Sequence, residues 1–173
     1  MKPETFDIIH QTVPLLEQHG EQLADCFYKN MFRNNPEVNV FFNPAHQQSG
    51  AQQHALASVI CAYARHIDNP GQLRQALEVI FHKHVPLGLK PEHYPIVGNN
   101  LLLTLREVLG EAATTEVIDS WTEAYGVLAG IFIDREDDLY QQQLIKHGWN
   151  GFKAFTLIRR HSESSNITSF YLR

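Results

Sequence analysis

Chemistry first enters this chain at a histidine near a helix end. Along Leu77-Glu78-Val79-Ile80-Phe81-His82-Lys83-His84-Val85-Pro86-Leu87-Gly88, a helical stripe runs through Leu73, Leu77, Ile80 and His84, at i, i+4, i+7 and i+11. Pro86 and Gly88 stop the helix just beyond it. His84 is therefore aimed at the core, and His82, nearly half a turn away, at water. An imidazole so placed can ligate a metal or carry a proton, although on this stretch alone a hydrogen-bonded core histidine is the more ordinary reading. His82 and His84 cannot share an ion, because side chains two residues apart on a helix diverge. Four other polar groups sit on or beside apolar stripes: the phenols Tyr28 and Tyr94, the amide Gln52 and the carboxylate Glu136. A buried phenol usually bonds a backbone carbonyl, and a buried amide is costly unless it is paired or faces a cavity. A carboxylate at a stripe's edge is most often solvated, but it can reach a buried donor.

The elements that must position these groups read as helices over most of the chain. Phe6, Ile9, Val13 and Leu16 keep helical spacing up to Gly20, with Pro14 as a kink or early boundary, and a second helix is expected from Glu21 to Phe32. Asn34-Asn35-Pro36 breaks it, and a short connection closed by Pro44 holds Val40-Phe41-Phe42 in a non-helical corner. Such paired aromatics pin a loop to a core or wall a flat ligand. From about Gln47 to Ile67 a helix carries Gln52, Leu56, Val59 and Tyr63 on one face, with His54 turned outward. After the His84 helix, Lys90-Pro91-Glu92 opens another, lined by Tyr94, Val97, Leu101, Leu105 and Val108 and ended by Gly110. A final long helix starts near Thr114 and buries Trp121, Tyr125, Leu128 and Phe132, with Glu136 at its stripe's edge and Asp137 outward.

Beyond His147-Gly148 the pattern becomes β. Residues 152–160 and 167–173 look like two strands joined by Ser162-Glu163-Ser164-Ser165-Asn166. Two strands cannot bury a face alone, so residues 147–173 look like the opening of a second domain.

With 173 residues, 43% of them hydrophobic, the chain can build one sizeable core. A net charge of -5 provides no basic footprint for nucleic acid. The longest uncharged apolar run, Tyr125 to Ile133, is far short of the roughly 20 residues a membrane span needs. Met1-Lys2-Pro3-Glu4 lacks a signal-peptide pattern, and two cysteines, Cys26 and Cys61, fit a reducing cytoplasm. There is no glycine-rich nucleotide loop, phosphate loop or zinc-type cysteine spacing. An all-helical domain with one core-facing histidine at a helix end, opposed by a glutamine, an indoor tyrosine and paired aromatics, suits a flat iron cofactor. One imidazole supplies the axial bond and the far position stays open to a small gas.

The residues also carry a family likeness. Phe27-Tyr28-Lys29-Asn30-Met31-Phe32 with Asn35-Pro36-Glu37, Lys83-His84, Lys90-Pro91-Glu92-His93-Tyr94-Pro95-Ile96-Val97-Gly98, and Ala124-Tyr125-Gly126-Val127-Leu128-Ala129 with Arg135-Glu136 together resemble a bacterial flavohaemoglobin. The likeness extends to Gly148-Trp149-Asn150-Gly151-Phe152 and Ile167-Thr168-Ser169-Phe170, which look like the opening strands of that family's flavin domain.

The resemblance implies an all-α globin fold over residues 1–146, binding haem b, and over 147–173 a β segment that begins a truncated flavin-binding barrel. His84 matches the proximal iron ligand, Tyr28 the distal phenol that hydrogen-bonds dioxygen, and Gln52 the distal amide beside it. Phe42 matches the phenylalanine packed on the haem face and Leu56 the apolar residue that narrows access to the iron. Tyr94 and Glu136 match the proximal pair that orients the histidine. The implied reaction joins nitric oxide and dioxygen to nitrate, with electrons from NAD(P)H through FAD in a reductase part that follows Arg173. A single-domain haemoglobin that only binds or delivers dioxygen keeps the same pocket, and the strands from Trp149 to Arg173 speak against it. A helical scaffold or sensor without haem is the third reading.

Overall fold

The computed structural model describes residues 1–43 and 50–173, so the expected positions Pro44, His46 and Gln47 lie outside the described residues. The first helix, α1, runs unbroken from Pro3 to Asn34. Neither expected interruption occurs. Pro14 sits inside α1, where its missing N–H and ring clash cost about 3 kcal/mol in an isolated helix. Ile9, Leu16, Leu23, Phe27 and Met31 nevertheless form one continuous buried stripe across it, and packing of that stripe outweighs the local break. Gly20 is a close-approach point and not an end, since a Cβ there would lie 3.4 Å from the Cβ of Ala57.

Asn35 leaves α1 in a non-helical conformation, and a 3-10 turn, Pro36–Phe41, replaces the expected non-helical corner. Phe41 and Phe42 pack against the core while Val40 points to water. Helix α2, Ala51–Arg65, follows Gly50, whose φ of 71° suits only glycine readily. Helix α3, Arg74–His84, passes into the 3-10 turn Val85–Leu87 and is ended by Gly88 at φ 73°. Helix α4, Tyr94–Leu109, is entered through the 3-10 turn Pro91–His93. Helix α5, Thr115–His147, is capped by Thr114, whose side chain accepts from the Val117 N–H at 3.3 Å.

The long α1 packs on α2, α4 and α5, and α4 also packs on α5. Helix α3 leans chiefly on α5. Leu16, Leu105, Trp121 and Ala124 are among the fully enclosed core residues. Two groups of helices result, α1 with α2 and α3 with α5, and they carry the two halves of the candidate site.

The C-terminal strands are shorter than expected. Strand β1 covers Leu157–Ser162 and β2 covers Thr168–Leu172, paired antiparallel with Leu157 opposite Leu172 and Ser162 opposite Thr168. Pairing extends one step further, because Thr156 and Arg173 exchange both backbone hydrogen bonds. Residues 152–155 have no strand opposite them and stay irregular. Leu157, Ile158, Phe170 and Leu172 are all more than half exposed. No helix among the described residues is long and apolar enough to cross a membrane.

Candidate functional site

Helix α3 delivers His84 at its last turn, with Leu77 and Phe81 buried on the same helix to seat it. Its Nδ1 lies 2.8 Å from Glu136 Oε1. A carboxylate accepts, so Nδ1–H donates, and in the neutral ring Nε2 then keeps its lone pair. Glu136 is only 3% exposed, whereas the His84 side chain is 28% exposed. The buried carboxylate is thus reached by one imidazole nitrogen while the other end of the ring remains accessible. Of the two readings open to a stripe-edge carboxylate, solvated or reaching a buried donor, Glu136 takes the second. Around Glu136 α5 is covered by the turn after α3, and a residue at the margin of the stripe becomes buried there.

Aromatic packing fixes the ring from the side. Phe132 lies 5.5 Å from the His84 ring, 4.7 Å from Phe81 and 6.0 Å from Tyr94, centroid to centroid. The Tyr94 hydroxyl is buried and completes no well-formed hydrogen bond. Burial, and then the adjacent Glu136 carboxylate, push its pKa well above the ordinary phenol value. The backbone of Tyr94 is itself held, because Tyr125 donates its hydroxyl to the Tyr94 carbonyl at 2.6 Å. That bond needs Gly98: a Cβ there would come within 2.5 Å of the Tyr125 ring.

The other half is built on α1, α2 and the corner between them. Tyr28 is buried in a nest of rings, edge-on to Phe27 and Phe42 and stacked on Phe32, at 5.2, 5.7 and 5.7 Å. Its hydroxyl has no hydrogen bond among the described residues, and burial alone raises its pKa. Gln52 Oε1 is buried without a partner among the described residues. Leu56, one turn further along α2, packs half-buried against the core.

The structure thus brings His84, Glu136 and Tyr94 together, and separately Tyr28 and Phe42. No hydrogen bond or ring contact among the described residues joins Tyr28, Phe42, Gln52 or Leu56 to the His84 group. Phe41, its ring tilted 56° to that of His93 at 4.7 Å, links the two halves at one edge. Two hollows, of about 220 Å³ beside His82, Val85 and Lys146 and about 50 Å³ beside Leu89, Glu136 and Tyr140, flank the His84 turn and contain neither His84, Tyr28 nor Gln52. The site is therefore defined by its donors and not by either hollow.

The donor set fits a flat iron macrocycle. One fixed imidazole presents a single lone pair, as an axial ligand must. The orphaned Gln52 oxygen and the partnerless Tyr28 hydroxyl are what a polar ligand would satisfy. Aromatic rings supply the apolar walls.

Sequence reading missed three supports. Tyr140 donates to the carbonyls of Val85 and Leu89, at 3.3 and 2.8 Å, and ties down the turn after His84. Arg135 grips Glu78 with two nitrogens. Gly98 makes room for Tyr125. The available signals were slight: Tyr140 lies one turn past Glu136, and Gly98 one turn past Tyr94.

Comparison with known proteins places this helical arrangement in a family. The globin family profile matches residues 25–132, and the chain belongs to the globin family. It is similar to the N-terminal part of flavohemoproteins, being 50% identical to that of Rhodopirellula baltica over the whole of this chain. The chain spans about 43% of the length of that relative. Among solved structures, a bacterial globin from Campylobacter jejuni is 40% identical, with TM-score 0.77 over 81% of this chain and 99% of that one. The flavohemoglobin of Malassezia yamatoensis, solved with bound FAD and heme, is 27% identical, with TM-score 0.82 over 98% of this chain and 44% of that one.

Proposed function

We propose that the chain is the haem-binding part of a flavohaemoglobin whose reaction is nitric oxide dioxygenation, one nitric oxide, one dioxygen and one electron giving nitrate. Residues 1–146 are the haem b domain, and residues 147–173 open an FAD-binding reductase domain that passes electrons from NAD(P)H. The observation that carries this reading is the His84–Glu136 pair, with Nδ1 occupied and Nε2 free.

Haem b, when bound, supplies an iron open to a diatomic gas and to one-electron chemistry. His84 Nε2 is the nitrogen available to hold that iron. Glu136 keeps the imidazole in one tautomer and lends it anionic character, which raises its strength as a donor. Tyr94 packs beside that carboxylate and limits its movement. Tyr28 can donate its hydroxyl to developing negative charge without first breaking another bond. Gln52 adds a second polar contact, and Phe42 and Leu56 keep water away. The exposed apolar side chains of β1 and β2 suit a hairpin that belongs to a larger sheet, as the FAD-containing Malassezia structure has chain beyond the matched part.

A second reading, a dioxygen-binding haemoglobin without a reductase, is supported by the Campylobacter globin, which matches the helical part almost end to end. The absorption spectrum of the haem-loaded chain tests the shared part of both. A strong Soret band that shifts with carbon monoxide and collapses in His84→Ala is expected. Nitrate yield with an added flavin reductase then separates the two. No Soret band after haem is supplied would sink both, and haem without nitrate would leave only the carrier.

A further inference from the structure

The bond between His84 and Glu136 joins two helices, so its geometry depends on how α3 is seated on α5. Two further links join the same elements. Six residues before His84, about 9 Å along the helix axis, Glu78 meets Arg135: Nε donates to Glu78 Oε2 at 3.1 Å and a terminal nitrogen to Oε1 at 2.5 Å. Arg135 is the residue before Glu136. On the far side of His84, Tyr140 donates to the Val85 and Leu89 carbonyls. Residues 135, 136 and 140 of α5 thereby hold residues 78, 84, 85 and 89.

An exposed ion pair ordinarily contributes little, because water screens it and two long side chains must be ordered. This one is half-buried, with the two side chains 31% and 35% exposed, and it is two-pronged. A guanidinium fork on a carboxylate fixes direction as well as distance, which a lysine cannot do. The competing contacts are long: Arg135 to Asp138 at 3.9 Å and His82 to Glu78 at 3.5 Å.

We infer that Arg135 is a positioning residue, whose fork on Glu78, assisted by Tyr140, sets the seat of α3 on α5 and so the bond between His84 and Glu136. The inference deepens the haem reading for one of its readouts and stands without it for the other. In the ligand-free chain the readout is the His84 Nδ1 proton, followed by nitrogen-15 NMR. In the haem-loaded chain it is the iron–histidine stretching frequency in the ferrous state, together with the rate of haem loss to an acceptor protein.

Arg135→Met and Glu78→Gln should each broaden or shift the Nδ1 signal and lower the stretching frequency. Haem loss should quicken by about tenfold, at the low end for residues that support a metal ligand indirectly. Arg135→Lys should not rescue, whereas the exchanged pair Glu78→Arg with Arg135→Glu should restore both signals in part. Tyr140→Phe should produce a smaller change of the same sign. Unchanged melting temperature with altered spectra separates positioning from general stabilisation. If Arg135→Met leaves the Nδ1 signal and the stretching frequency as in the parent chain, the inference is wrong, even with haem bound as proposed. If the parent chain takes up no haem, the function proposed above fails, and the Nδ1 measurement still decides the role of Arg135.

Discussion

The two halves of the candidate site differ in how their polar groups are spent. On the His84 side, nearly every polar atom is committed: imidazole to Glu136, Tyr125 to the Tyr94 carbonyl, Tyr140 to two carbonyls, Arg135 to Glu78. The Tyr94 hydroxyl is the exception. On the Tyr28 side, the Gln52 oxygen is enclosed with nothing to bond, and the hydroxyl of the buried Tyr28 ring makes no hydrogen bond, among the described residues. A group held from below by a rigid ligand needs the first arrangement. A transient polar guest needs the second, since donors already engaged would have to be pried loose before they could help. The contrast is thus between a half built to hold and a half left open to respond.

Breaking the holding half should have the largest effect. Glu136→Leu leaves the Nδ1 proton without its acceptor, and haem loss should accelerate by between about 10- and 100-fold, or up to ~2.7 kcal/mol. A haem-transfer assay reads this directly, and an unchanged rate would remove Glu136 from the support of His84. Gly98→Ala attacks the same half from behind. With a Cβ driven into the Tyr125 ring, an overpacking cost of about 1–3 kcal/mol is expected in urea unfolding. Loss of the Tyr125 hydroxyl bond to the Tyr94 carbonyl should accompany it.

The responding half is sharpened by comparing two phenols. Tyr63 donates to the Ala124 carbonyl at 2.8 Å, and burial pushes its pKa up to about 12. Tyr63→Phe should therefore cost about 1 kcal/mol in the ligand-free chain. Tyr28→Phe removes a hydroxyl that has no partner among the described residues, so the ligand-free chain should lose nothing or gain slightly. Loss of dioxygen from the haem-loaded form should quicken all the same. Equal destabilisation by both substitutions would mean that the Tyr28 hydroxyl is engaged, and the contrast would fail.

The smallest effect lies outside both halves. Hydrogen bonds from Cys26 and Asn30 hold the Glu107 carboxyl below its ordinary pKa. A depressed folded-state pKa means that its stabilising contribution is fully present above the unfolded value, near 4.3, and is lost as pH falls through the folded value. Acid titration of Glu107→Gln should accordingly show a shallower loss of stability below about pH 4 than the parent chain. Parallel curves would show that the carboxyl is not coupled to folding.

Much of this was legible without coordinates. The spacing that runs through Leu73, Leu77, Ile80 and His84 already aims the imidazole inward, and Gly88 and Gly110 end their helices where the chain requires it. Local signals misled where packing overrules them. Pro14 and Gly20 look like boundaries, yet the buried stripe from Ile9 to Met31 carries one helix through both. Glu136 looks solvated from its own helix, because periodicity describes one helix at a time and cannot see the turn that covers it.

By itself the sequence determined the helices, the inward histidine, the family and the β character of the tail. The helices, the inward histidine and the β tail follow from side-chain type and spacing along single elements, and the family from motifs spread over the whole chain. The family likeness already pairs Glu136 with His84, but only the tertiary structure decided that Arg135 and Tyr140 brace that pair, that Gly98 exists for Tyr125, and that the Gln52 oxygen has no partner among the described residues. Each of these depends on two elements meeting at a particular angle and distance, and hydrogen bonds fade within a few tenths of an ångström beyond their range.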